Sequence, residues 1–229
     1  MRKFIWLLIL AALISVPARA QVRVLAGAEG GIDFSNESLG VTVGVEAPFA
    51  KRYELDLRDT FSPVESHISL GAGTANKISA TGIVWLNKSF GLNARVEDSR
   101  YSVTQVEKRA DYAFGGIAYR TTVDGFPTRI FVDYVRQFNN GVSPAGIETS
   151  HLQGVQAEFT FRLGCTKSVC FRVGETVAVG RTWAQGNQAC DGSTGPQTCG
   201  QRNRSVGGQF TGSFTVEFPR PRGKEYETF

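Results

Sequence analysis

Apolar and polar residues alternate along most of this chain. The stretch "SVGGQFTGSFTVEFPRP", residues 205–221, is the clearest case: Phe210, Gly212, Phe214, Val216 and Phe218 hold alternate positions, and Gln209, Thr211, Ser213, Thr215 and Glu217 fill the gaps. A strand sends successive side chains to opposite faces, so one face here is aromatic and the other polar. Similar alternation places Val24, Ala26 and Ala28 together, then Val41, Val43 and Val45, then Leu55 and Leu57, Val84 and Leu86, Phe90 and Leu92. Further on come Ile130, Val132 and Tyr134, then Phe159 and Phe161, then Val177 and Val179. One strand, around 112–119, is ambiguous: Tyr112, Phe114 and Ala118 share one face, Ala113, Ile117 and Tyr119 the other. The pattern predicts about ten strands (eight or twelve remain possible) and no comparable helical period after residue 20.

Most predicted segments run 9 to 13 residues. That exceeds the usual strand of a soluble protein and matches a tilted strand crossing a bilayer. The connections alternate in length. Residues 50–52, 87–89, 122–127 and 164–169 are short, whereas 62–77, 101–109, 139–150 and 184–204 read as longer polar loops, with "GAGTAN" (71–76) a flexible one. An all-β, antiparallel, up-and-down transmembrane barrel follows, its apolar parity facing lipid through Val41, Val43, Val45, Phe159, Phe161, Phe210, Phe214, Val216 and Phe218. The other parity carries charge: Asp56, Arg58, Arg95, Asp133, Glu158 and Arg162 point into a lumen, which they either plug by pairing or line as a narrow pore. Glu175 and Arg136 break the rule by falling on the apolar parity.

The chain opens "MRKFIWLLILAALISVPARAQ", a positive start, an apolar run and an Ala18-Arg19-Ala20 cleavage motif. Residues 1–20 are therefore expected to be a signal peptide, 21–218 the barrel and 219–229 a short periplasmic tail. The net charge of +4 falls to about +1 without that leader, which gives no reason to expect a nucleic-acid partner. In an exported protein, Cys165, Cys170, Cys190 and Cys199 read as disulfides, most simply as Cys165–Cys170 and Cys190–Cys199.

The alternation, the loop asymmetry and the closing aromatic motif resemble those of small bacterial outer-membrane β-barrel proteins. Phe218, Val216, Phe214, Gly212 and Phe210 look like that family's terminal assembly signal, although here "PRPRGKEYETF" follows it. The resemblance implies residence in the bacterial outer membrane. It implies contact with outer-membrane lipid and with the barrel assembly machinery, and an extracellular ligand at the loops.

Neither histidine builds an evident metal or catalytic site, and no cofactor is implied. Glu65, His67 and Ser69 in "ESHIS" are similar to the His-x-Ser pattern of outer-membrane lipid A deacylases, in which histidine activates serine. The match is three letters long and lacks the asparagine that follows in that family. The paired Asp-Asp and Asp-His motifs of the omptin proteases are not visible. The reading is a structural or surface-interaction barrel without catalysis, with a narrow channel and a deacylase-like enzyme as the alternatives.

Overall fold

In a computed structural model, the residues described are 22–33, 36–49, 52–66, 71–103, 106–138, 149–185 and 202–218. They form ten strands: β1 (Arg23–Asp33), β2 (Asn36–Phe49), β3 (Tyr53–Ser66), β4 (Gly71–Trp85), β5 (Phe90–Val103), β6 (Val106–Val123), β7 (Phe126–Gln137), β8 (Thr149–Cys165), β9 (Cys170–Gln185) and β10 (Arg202–Phe218). Each is hydrogen-bonded to its chain neighbours, and β1 pairs antiparallel with β10, so the sheet closes into a barrel without a free edge. The leader, the tail, His67, Ser69, Cys190 and Cys199 lie outside the described residues.

The strands are longer than the apolar pattern implies, from 11 residues in β1 to 18 in β6. The 62–77 connection is the plainest correction. Ser62–Ser66 and Gly71–Lys77 are strand, paired in register from Thr60↔Lys77 to Ser66↔Gly71, and "GAGTAN" belongs to β4 rather than to a loop. The 101–109 connection likewise narrows to two residues, because β5 and β6 pair as far as Val103↔Val106. An antiparallel ladder needs only extended backbone from both partners. Polarity marks where the apolar band stops, not where hydrogen bonding stops.

At the opposite end the turns are tight. Asp124 and Gly125 alone join β6 to β7, both with positive φ, 50° and 83°, as a two-residue hairpin requires. Cys165 and Cys170 pair across the foot of β8 and β9 and are joined by a disulfide.

The faces separate as the alternation demands. Val41, Val43, Phe210, Phe214 and Phe218 are exposed on the outer surface. Val45, Phe159, Phe161 and Val216 share that parity and are half-buried among their neighbours. Tyr53, Phe90, Phe126 and Phe218 lie exposed near the short-turn end, forming part of an aromatic girdle. In β6 the ambiguity resolves: Phe114 and Ala118 are buried inside and Ile117 is exposed outside. With Ile83, Trp85 and Phe131, Ala118 makes a small apolar cluster in the lumen.

Candidate functional site

The lumen is built in two storeys. The lower one, at the short-turn end, is a network of buried charge. Arg129 on β7 donates to Glu54 on β3 at 2.7 Å and to Glu46 on β2 at 2.9 Å. Arg172 on β9 holds both oxygens of Glu46, at 2.6 and 2.9 Å, and Glu217 on β10 at 2.8 Å. Arg162 on β8 bonds Glu217 at 3.0 Å, and Arg23 on β1 bridges Glu46 at 3.2 Å and Glu217 at 3.3 Å. Seven strands thus meet in one septum.

The register explains why the septum needs its shared carboxylates. Arg162 and Arg172 are directly opposed across β8 and β9, a repulsive placement on its own. Glu217 accepts from both and converts the repulsion into a bridge. Beside the ions, Trp85 donates Nε1–H to Glu54 at 3.3 Å, and the apolar cluster packs against the β4, β6 and β7 wall. Arg120 stacks on the same Trp85 ring at 4.0 Å.

Above the septum the lumen opens as a cavity of about 180 Å³. Its lower lining carries the remaining charged pairs. Arg58 bonds Asp56 at 2.7 Å, and Arg95 bonds Glu158 at 3.0 Å while lying over the Phe114 ring at 3.9 Å. Asn93 donates to Asp133 at 2.7 Å across β6. That contact exists because Gly116 stands between them in register; a Cβ there would lie 2.6 Å from Asp133 Oδ1 and 2.0 Å from the Val132 carbonyl oxygen. Asn93 Oδ1 and Arg95 Nε have no hydrogen-bond partner among the described residues. The opposite wall is lined by Thr176, Thr211 and Ser213, and Lys77 pairs with Glu29 higher up. Side-chain exposure rises from 0% at Arg129 and Glu46 to 27% at Arg58 and 34% at Lys77, so the cavity opens towards the long-loop end.

Charge inside and an apolar band outside invert the arrangement of a soluble protein. This is the architecture of an outer-membrane β-barrel. A closed barrel crosses a bilayer with its strands, because every backbone group is paired within the sheet.

No family model and no curated protein sequence matches the chain. Among solved structures it is similar to the outer membrane protease OmpT from Escherichia coli, with a TM-score of 0.45 and 8% identity over 87% of this chain and 95% of that one. It is also similar to the translocator domain of autotransporter NalP from Neisseria meningitidis, at 0.41 and 12% over 95% of each chain. The beta domain of the Bordetella autotransporter BrkA gives 0.40 and 8% over 87% of this chain and 98% of its own. Scores this low transfer no property to this chain.

Asp56, Arg58, Arg95, Asp133 and Glu158 line the cavity, while Arg162 belongs to the septum. Sequence reasoning did not single out Arg23 and Glu46 as site residues, although each sits one position before or after an outward valine, Val24 and Val45. Alternation could have placed both inside; only the closure of the barrel brings them together. Among the described residues, no cluster of His, Cys, Asp and Glu is arranged to hold a metal. Glu65 lies on β3, and the other two members of the His-x-Ser pattern fall outside the described residues.

Proposed function

We propose that the protein is a surface-interaction barrel of the outer membrane, closed to the periplasm and open to the exterior as a polar cup. One observation carries this reading: the septum of Arg23, Arg129, Arg162 and Arg172 with Glu46, Glu54 and Glu217 crosses the lumen at the short-turn end. Short turns belong on the periplasmic side and long loops outside the cell. The cup and the loops around its mouth are then the surface for an extracellular ligand, held out by a rigid scaffold. Lipid surrounds the outer band, and the β10 motif ending at Phe218 is what the assembly machinery reads.

The alternative of a narrow channel requires the septum to open. Wild-type protein inserted into planar bilayers is expected to give no resolved single-channel steps. Regular steps from wild-type protein would overturn the closed-cup reading in favour of the channel.

A further inference from the structure

Arg136 falls on the outward, otherwise apolar parity of β7, and it is exposed there. Its register partner on β8 is Gln153, and Gln153 in turn pairs with Arg181 on β9, also exposed. Residues directly opposite across a ladder share a face. The three therefore form an outward row, Arg–Gln–Arg, with the arginines on strands about 10 Å apart. Neither arginine has an ion-pair partner among the described residues. Gln153 donates to the Tyr134 hydroxyl, which fixes its amide and leaves its second N–H available.

Depth gives this row its meaning. Arg136 stands ten residues above Phe126, and Arg181 eleven above Cys170. At roughly 2.5 Å of height per tilted residue, both lie about 25 Å or slightly more above the short turns, at the upper limit of an apolar band of that height. Beneath them the outer face is apolar apart from Glu175, with Val132, Tyr134, Val155, Val177 and Val179 exposed. The neighbouring strands mark the same boundary: Asp98, Arg100, Arg109 and Asp111 also face outward there, but they neutralise one another at 3.2–3.3 Å. Among the residues whose side chains are described at this height, only those of the β7–β9 sector present basic charge without a described carboxylate on it. Asp111, the nearest acid in register, is held by Arg109, and Glu175 lies six residues lower on β9.

We infer that Arg136, Gln153 and Arg181 form a clamp for the phosphate of an anionic membrane lipid in the outer leaflet. Two guanidiniums reach one phosphate from either side, and the amide donates between them. The acyl chains then lie along the valines below. A soluble anion would satisfy the same donors but gain nothing from that apolar surface.

The inference rests only on the transmembrane disposition, and its test keeps the two apart. The full mature chain, folded in detergent, is offered phosphatidylglycerol, phosphatidylcholine or inorganic phosphate, and retained adducts are read by native mass spectrometry. The wild-type protein should retain phosphatidylglycerol over phosphatidylcholine. R136Q and R181Q should each weaken that retention about fivefold, and together about thirtyfold. The charge-matched control R52Q/K88Q, at exposed positions in the opposite turns, should keep it. No preference in the wild type, equal losses in the two double variants, or displacement of the lipid by inorganic phosphate would each overturn the clamp. Failure to fold in detergent, seen as the absence of a heat-modifiable compact form, would instead count against the membrane barrel.

Discussion

At the scale of single residues, Arg136 and Glu175, both on an otherwise apolar parity, have different fates. Arg136 sits at the edge of the apolar band. Glu175 does not: it is exposed on β9 between Val173 and Val177, opposite Gly212 on β10 and Phe159 on β8. Phe214 and Phe210 pair with those two valines, so the carboxylate stands near mid-depth beside a position without a side chain. An acid among acyl chains costs less than the roughly 2–4 kcal/mol of a basic residue, but it still costs. Glu175→Val should therefore stabilise the barrel by on the order of 1 kcal/mol, read as a raised midpoint in denaturant unfolding from lipid vesicles. Phe214→Arg reverses the change one register step away and should lower stability by roughly 2–4 kcal/mol. Thr215→Arg, on the inner parity, should be milder. Equal damage from the two arginines would mean that the outer face does not meet lipid.

At the scale of elements, the β8–β9 hairpin shows what the sequence reveals and what it hides. The spacing of Cys165 and Cys170 suggested a stapled turn, and the disulfide is there. Closing so short a loop should contribute about 2 kcal/mol, so Cys165→Ser with Cys170→Ser should lower the unfolding free energy by about that amount while leaving the barrel folded. Peptide mapping without reduction checks the linkage directly. Strand count and facing were legible because apolar residues at every second position carry the signal of a lipid-facing wall. Strand ends were not. In 62–77 the outer face carries Pro63, Thr74 and Asn76, so apolar alternation fades after Phe61 while the β3–β4 ladder runs on to Ser66↔Gly71. The inner apolar cluster was hidden for a related reason: Ile83 and Trp85 alternate with Val84 and Leu86 in an unbroken apolar run, which has no parity to read.

At the scale of the whole molecule, the septum is a property of closure. Arg172 and Glu46 are separated by 126 residues, and Arg129 and Glu46 by 83. No local pattern links them; they meet because β1 pairs with β10 and the barrel is narrow enough for side chains to span it. Each buried ion depends on its partners, since removing one side of such a pair leaves the other charge uncompensated, at about 3–5 kcal/mol. In a lumen with water above it, that charge has another way out: the septum loosens and hydrates. Taking out Arg129 and Arg172 as R129A/R172A leaves Glu46, Glu54 and Glu217 in excess around the opening. Taking out Glu46 and Glu217 as E46A/E217A leaves four arginines facing mainly Glu54. Both variants should conduct in planar bilayers where the wild type does not, and with opposite preference: the first for cations, the second for anions. Reversal potentials in asymmetric salt read that sign directly, and heat-modifiable migration reports that each variant is still a barrel. Conductance of the same selectivity from both variants would show ions passing by a route other than this septum. Folded variants that remain silent would show that the apolar cluster of Ile83, Trp85, Ala118 and Phe131, rather than the ion network, closes the lumen.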